Sequence, residues 1–481
     1  MRIYNSLTRQ IEEFEPLAEG KAGMYTCGPT VYDYAHIGHA RKYVYDDLLR
    51  RVLSANGLEV MHVQNVTDVG HLVSDADEGE DKLEKGAREM KRTVWEAAEF
   101  FTRDFYKMAD SMNILRPTIT ARATDHIKEQ TDLIQKLVQK GFAYETPEAV
   151  YFDVGKFPRY GLLFGQKLAD KQVAVREEVK TGEHKRHPAD FALWFKRVGR
   201  FADHQMHWES PWGDGFPGWH IECSAMSMKY LGESFDIHTG GEDHLPVHHP
   251  NEIAQAEAAT GKLLARYWVH HAFLLIDGQK MSKSLGNYYR VEDVAEKGFD
   301  PMALRYLYLT AHYRSPQNFT WSALAAAQTA YDKLNKFVKD SGSNPPAGRA
   351  GIQDIRIQLS KEKAKKLDQY RLRFEEAVNN DLQFPRALAV MWEMMKSNIP
   401  DYDKADALRD WDEILGLRLG ALKSEEVQIP EQIREMSQKR EILRRDGKFV
   451  EADELRVEME KLGWGIEDAA KGSRIVKLKH I

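Results

Sequence analysis

Cysteine is the first scarcity. Only Cys27 and Cys223 occur in 481 residues, 196 positions apart, which excludes a disulfide-framed secreted scaffold. No run of about 18 apolar residues is present, so a membrane-spanning helix is excluded on length. The opening MRIYNSLTRQIEEFEP has no apolar stretch, and no secretory leader is expected. Neither sign of charge dominates: 68 Lys and Arg stand against 74 Asp and Glu, a net of −6. That excludes a chain coated for wholesale polyanion binding, though not a local basic patch. There is no internal repeat of 20 to 50 residues. With 42% hydrophobic and 30% charged residues, 33 Gly and 17 Pro, long disorder and collagen-like repetition are also out. What remains is chain enough for about three domains, expected in a reducing compartment, the cytoplasm.

Organisation follows from periodicity. Gly23 to Thr26 reads as a strand and Gly28-Pro29-Thr30 as a turn. From Gly38, the residues Val44, Leu48, Leu49, Val52 and Leu53 recur at helical spacing until Asn56-Gly57 stops the helix. LEVMHVQNVTDVG returns as a buried strand, so the three elements form a βαβ unit and predict a parallel sheet. An acidic stretch with five acids between Asp75 and Asp81 then leads into a helix carrying Val94, Ala97, Phe100, Phe101, Phe105 and Met108. From Thr118 the pattern turns irregular, with a helix over 126–140, a strand over 149–154 and a Lys/Glu-rich run over 167–185, and reads as an insertion. FDIHTGG is a further strand. Beyond Asp300 the pattern is almost all helical, broken by SGSNPPAGRAG (341–351) and by a polar seam at 422–432. One long charged helix is expected over 431–462. The last eleven residues hold four Lys or Arg and no acid, which suits either a solvated terminus or phosphate contact.

Two strings carry chemistry. His36-Ile37-Gly38-His39 stands where the first strand's turn enters the first helix, a place whose free N–H groups suit phosphate. Gly38 clears room for a flat ligand. Lys280-Met281-Ser282-Lys283-Ser284, between Gly278 and Gly286, offers two lysines and two hydroxyls on a Gly-bounded loop. That composition suits a clamp on a polyphosphate. Each string alone has a bland reading, as a helix cap or a solvated loop; the pair, 244 residues apart, is far more specific.

The pair resembles the class I aminoacyl-tRNA synthetases, whose hallmark motifs read HIGH and KMSKS. The resemblance implies that His36 and His39 stabilise charge growing on the α-phosphate of ATP and that Lys280 and Lys283 neutralise departing pyrophosphate, with Gly38, Ser282, Ser284 and Lys283 binding ATP. Nine of the eighteen histidines fall between His204 and His271. Within that window GWHIECSAMS and DIHTGGEDHLPVHHPNEIAQ are similar to segments of cysteinyl-tRNA synthetases. On that likeness Cys27, Cys223, His248 and Glu252 are the ligands of one Zn²⁺ per chain, a sound donor set for that metal. Zinc separates cysteine from serine because it lowers a thiol's pKa and binds thiolate strongly. A four-ligand site is closed by the usual rule, so the substrate sulfur either adds as a fifth ligand or displaces a weak one, with Glu252 the candidate. Glu242 is a competing carboxylate.

The same likeness puts Thr67, of NVTD, and Trp219 in the amino acid pocket, Asp243 near the amino group or a ribose, and His220 and His238 in or behind the pocket. Core roles for these residues stay open. The implied fold is α/β: a Rossmann-like parallel-sheet catalytic domain with an insertion, followed by helical tRNA-binding domains. Its expected segments are 1–117 and 206–275 for the two catalytic halves, 118–205 for the insertion, 276–320 for the KMSKS and stem-contact region, 321–424 for a helical bundle and 425–481 for an anticodon-side module. The implied reaction joins L-cysteine to cysteine tRNA through cysteinyl-adenylate, using ATP with Mg²⁺, in a monomer with no membrane partner. Two rivals remain, a cysteine ligase acylating a small amine, as in mycothiol assembly, and a non-catalytic tRNA-binding paralogue. Residues 425–481 count against the first and intact motifs against the second. Two departures from the family pattern stand out: the long acidic stretch after NVTD, and Pro250 where an acid is usual.

Overall fold

Arg2–Asn5 (β1) and Gln10–Glu13 (β2) open the chain as an antiparallel hairpin. The computed structural model describes residues 1–69, 72, 81–165, 184–282, 285–342 and 359–420, with separate positions between 433 and 477. The predicted βαβ unit is present: Lys21–Thr26 (β3), the helix Ile37–Ala55 (α1) and Glu59–Val66 (β4), with the two strands parallel. Helix α1 buries Ala40, Val44, Leu48 and Val52 on one stripe, and its end is satisfied by Asn56 and by Gly57 at φ +81°.

The next elements are the helices Lys82–Met90 (α2) and Val94–Ser111 (α3) and the strand Ile119–Arg122 (β5). Ile127–Gln139 (α4) then leads into an antiparallel sheet of Ala143–Glu145 (β6), Ala149–Phe152 (β7), Phe191–Lys196 (β8) and Gly215–Pro217 (β9). The chain returns through Trp219–Leu231 (α5), Phe235–Gly241 (β10), His248–Thr260 (α6) and Ala265–His271 (β11). These complete a five-stranded parallel sheet in the order β11-β10-β3-β4-β5. The order reverses between β3 and β10, so loops leaving their carboxyl ends diverge and open a crevice there.

Strand β5 pairs with β4, and β9 with β8, so the insertion's structural edges fall after Arg122 and at Pro217 rather than at 118 and 205. The Lys/Glu run over 167–185 lies outside the described residues but for 184 and 185, as do all but 341 and 342 of the 341–351 break and the whole 422–432 seam.

Leu274–Ile276 (β12) and Gln279–Lys280 (β13) form a hairpin about Asp277-Gly278, both at positive φ, and Gln317–Phe319 (β14) pairs parallel with β12. Helices Val291–Glu296 (α7), Pro301–Leu309 (α8), Trp321–Gly342 (α9), Lys361–Asn379 (α10), Phe384–Met395 (α11) and Asp401–Leu415 (α12) make up the helical part of residues 1–419, the first of two compact units.

The second unit, residues 420–481, has a small core of Ile433, Met436, Met459 and Trp464 and an antiparallel hairpin, Trp464–Ala469 (β15) with Gly472–Lys477 (β16). The basic tail therefore pairs as strand up to Lys477. The single long helix expected over 431–462 is interrupted at Lys448, whose N–H bonds Leu443 O while its own carbonyl accepts from Ala452 N. The sequence has Asp446-Gly447 just before it, good turn formers. No helix among the described residues is long and apolar enough to cross a membrane.

A buried guanidinium joins helix to sheet domain. Arg305 on α8 has no exposed surface and donates to Asp47 Oδ2 of α1 at 2.5 Å, to Met112 O at 2.9 Å and to Leu415 O at the end of α12 at 2.9 Å. Gly416 ends α12 at φ +64°, and a Cβ there would stand 2.5 Å from the Arg305 guanidinium. Replacing Arg305 by Met leaves Asp47 and the carbonyls of Met112, Asn113 and Leu415 without that donor. The expected loss is about 3–5 kcal/mol of unfolding free energy, read as an earlier denaturation midpoint, with Arg305→Lys recovering only part because it lacks the planar fork. An unchanged midpoint in Arg305→Met would refute the clamp.

Candidate active site and metal centre

Helix α1 begins with an uncommon cap. His36 holds extended backbone (φ −96°, ψ 170°) and its Nδ1 accepts from Gly38 N at 3.1 Å and His39 N at 3.2 Å. His39 Nδ1 accepts in return from His36 N at 3.4 Å. The two imidazoles thus form a reciprocal capping box and stack with centroids 3.6 Å apart. A Cβ on Gly38 would lie 2.9 Å from the His36 ring, so glycine is required here by the cap itself. The first turn contains no acid, which leaves the positive end of the helix open to an anion.

Burial lowers the pKa of His36 to about 2, helped by His39, and desolvation of the imidazole lowers that of His39 to about 4, although part of the residue is exposed. With both Nδ1 atoms accepting, each neutral ring carries its proton on Nε2 and offers a donor.

The KMSKS segment is brought to this helix. Met281's methyl lies 3.7 Å from where a Gly38 Cβ would sit, and Ile37 N donates to Tyr289 O at 2.9 Å. Lys280 is exposed on β13 with its ammonium over the Phe273 ring, 5.7 Å from the centroid. Ser282 N donates to Asn287 Oδ1 at 2.8 Å, and Asn287 Nδ2 to Lys280 O at 3.2 Å, which closes the turn. Lys283 and Ser284 lie outside the described residues. Arg41, two residues beyond His39, fixes the approach: it donates to the carbonyls of Ala272, His312 and Ser315 and to Gln317 Oε1.

Across the crevice, Cys27 at the end of β3, Cys223 on α5 and His248 and Glu252 one turn apart on α6 offer donor atoms all within 4.8 Å of one another. Ligands of a tetrahedral zinc stand roughly 3.3–3.8 Å apart, so these four residues fit the metal after a small contraction. All are buried. His248 Nε2 is 3.0 Å from Glu252 Oε1, and Cys27 Sγ 3.9 Å from the same oxygen.

His248 and Glu252 are oriented from behind, as is usual for metal ligands. His220 Nδ1 lies 2.8 Å from His248 Nδ1, Trp219 stacks on His248 at 4.2 Å, and His238 Nε2 is 2.8 Å from Glu252 Oε2. Burial works against charge at Glu252, yet His238 and His248 hold its carboxyl well below the usual range. Burial likewise opposes His248, but Glu252 and Cys223 raise it to about 10. Burial also opposes Cys223, and a hydrogen bond from Cys27 leaves it lowered to about 6 while Cys27 is raised.

Pro250 is the third residue of α6, where its missing N–H has no helical acceptor to lose. Thr67 is buried at the end of β4, Asp243 is largely exposed beside His244, and Glu242 accepts from Phe273 N at 2.9 Å, away from the four donors.

Sequence reading missed several partners. A second candidate donor group, Cys27, His238, His249 and Glu252, overlaps the first. His249 Nε2 is 3.4 Å from Cys27 Sγ, and its Nδ1 is 2.8 Å from His270, which in turn meets Ser6 Oγ at 2.8 Å. Lys42 bonds the Cys27 carbonyl and Asp46. Glu222 is fully buried, and burial, with Cys223 and Asp68 nearby, raises its carboxyl well above the usual range. The clustering of histidines over 204–271 was the one signal for His249 and His270.

A family model described as the class I (C) tRNA synthetase catalytic domain matches residues 13–329. Cysteine–tRNA ligase 1 of Burkholderia lata is 46% identical over 476 residues, covering 99% of this chain and 96% of its own. The cysteine–tRNA ligase of Treponema denticola is 42% identical over 486 residues, covering 98% of both. Among solved structures, the Agrobacterium radiobacter K84 agnB2 LeuRS–tRNA–LeuAMS complex superposes with a TM-score of 0.58 at 12% identity, covering 85% of both chains. Mycobacterium tuberculosis methionyl-tRNA synthetase bound by methionyl-adenylate gives 0.55 at 16%, covering 83% of this chain and 88% of that one. At such identities these two show the shared fold.

The depressed histidines set a pH dependence. In the unfolded chain they take up protons near pH 6.5, whereas His36 and His39 in the folded chain resist until far lower. Acidification from about 6.5 towards 4 therefore favours the unfolded state, and these two groups contribute stability only above that window. Imidazole ¹⁵N shifts are expected to report both rings neutral and Nε2-protonated at pH 5.5. Protonated rings at that pH would refute the cap.

Proposed function

The chain belongs to the class I cysteinyl-tRNA synthetases, and from that premise we propose how its residues divide the work. The reaction is ATP-dependent joining of cysteine to its tRNA. In the first step a carboxylate oxygen of cysteine attacks the α-phosphorus of ATP, the bond to the β-phosphate breaks, and pyrophosphate leaves with the electron pair. In the second a ribose hydroxyl of the terminal adenosine attacks the activated carbonyl, loses its proton and expels AMP.

His36 and His39 stabilise the α-phosphate as neutral Nε2–H donors, a reading supported by the cap that occupies both Nδ1 atoms. Hydrogen bonds aimed before the reaction suffice for this task. The Gly38 backbone and the open helix terminus bind phosphate, and Lys280, Ser282, Lys283 and Ser284 meet the β- and γ-phosphates, with Mg²⁺ accompanying ATP. Thr67, Trp219, His220, His238 and Asp243 form or support the amino acid pocket.

One Zn²⁺ held by Cys27, Cys223, His248 and Glu252 would supply a Lewis acid that tells a thiol from a hydroxyl. The observation that carries the reading is the convergence of both cysteines of the chain with His248 and Glu252 at the crevice. The enzyme acts as a cytoplasmic monomer, and the free buried thiols of Cys27 and Cys223 suit that reducing compartment.

The test is ATP–pyrophosphate exchange in metal-replete protein. Cysteine is expected to outpace serine by more than the roughly 200-fold that an apolar pocket supplies for a small change in side chain. Cys223→Ser is expected to lose bound zinc and that preference together. Absence of cysteine-dependent exchange in the zinc-loaded chain would overturn the assignment.

A further inference from the structure

The parallel ladder between β3 and β4 runs in regular register to Thr26 and Gln64. Beyond it the chain leaving β3 stays beside the chain leaving β4: Thr67 N donates to Pro29 O at 3.0 Å and Val31 N to Thr67 O at 3.1 Å. At Gly28 a side chain takes the place of a ladder partner. Asn65 Oδ1 accepts from Gly28 N at 2.7 Å, and Asn65 Nδ2 donates to Thr67 Oγ1 at 3.1 Å. Because a backbone N–H can only donate, the orientation of this amide is fixed chemically. Asn65 and Thr67 are both buried. The approach is so close that a Cβ on Gly28 would lie 1.6 Å from the Asn65 carbonyl oxygen, so the contact cannot slide.

Resting on the reading of Cys27 as a metal donor and Thr67 as a pocket residue, we infer that Asn65 is a positioning residue for cysteine recognition, holding the metal-donor loop with its oxygen and the pocket hydroxyl with its nitrogen. Cys27 is pinned at its own amide by Thr239 O at 3.2 Å and at its carbonyl by Lys42, and the Asn65 bond to the next residue completes the restraint. On the other side, the Asn65 amide occupies a lone pair of Thr67 Oγ1 and turns that hydroxyl's proton away from itself, towards the buried Glu222 carboxyl beside Cys223. One amide thereby keeps the metal-donor loop and the pocket in register.

The two halves of the amide separate by mutation. Asn65→Asp keeps an acceptor for Gly28 N but no donor for Thr67, whose hydroxyl then turns its proton to the new carboxylate. Asn65→Ala removes both bonds. Zinc-loaded full-length proteins are compared for zinc loss to a chromophoric chelator, and for KM of cysteine and of ATP in pyrophosphate exchange.

Expected for Asn65→Asp is wild-type zinc retention with KM for cysteine raised about tenfold, the loss of one well-aimed hydrogen bond, and KM for ATP unchanged. Expected for Asn65→Ala is the same rise in KM for cysteine together with faster zinc loss. Wild-type values in both variants, or equal rises in both KM values, would overturn the inference. If the alanine variant fails to fold, Asn65→Asp decides alone, since a wild-type KM for cysteine in it is sufficient refutation. Lack of exchange in the wild type would instead fault the ligase reading, and zinc retention would still judge the Gly28 half.

Discussion

Loops and helix ends carry carbonyls that no ladder or helix bond satisfies, and each buried one must find another donor. Two arginines meet that demand here. Arg41 gathers three such carbonyls from residues 272–315, and Arg305 gathers others from the turn after α3 and the end of α12. Because a guanidinium has five donors in a rigid plane, each arginine fixes the angles between segments far apart in sequence. Helix α1 and the hairpin β12–β13 keep their mutual place through this constraint, and the phosphate site proposed for these two segments depends on it.

The sheet's reversal between β3 and β10 does the corresponding work for the metal centre. Cys27 leaves one central strand, His238 lies on the other, and α5 and α6 bring Cys223, His248 and Glu252 to the same crevice. The layer behind the donors is aromatic as well as polar, with Trp219 on His248 and Trp268 stacked on His238 at 4.5 Å. Flat rings hold these imidazoles in one orientation, so the rigidity of the donor group comes from the layer packed behind it.

Much of this was legible in the sequence, and the illegible part has a common cause. The βαβ unit showed in the spacing of Val44 to Leu53, and segment likeness singled out four residues whose donor atoms converge. Arg41, Lys42 and Arg305 look like solvated helix residues, since nothing local announces that remote carbonyls or a carboxylate will meet them. Asn65 is equally silent: an amide bridging Gly28 and Thr67 requires knowing that two strands lie side by side. Strand β5 was absorbed into the insertion because four residues, Ile119–Arg122, are too short for a periodic signal. The β15–β16 hairpin was hidden because its second strand lies in the basic tail, whose composition matches an exposed terminus as well as a strand.

The histidine cap on α1 joins two properties that most enzymes keep on separate residues. The Nδ1 atoms that close the first helical turn belong to the rings that, in the proposed reaction, offer Nε2–H to phosphate. Selection therefore cannot trade one property against the other at positions 36 and 39. A substitution that spares the fold must find a residue able to cap as an imidazole does, and one that retunes phosphate affinity also frays the helix start. Under that proposed double duty, tolerated change in phosphate contact is expected away from the pair, at residues with a single duty such as those of the β12–β13 hairpin.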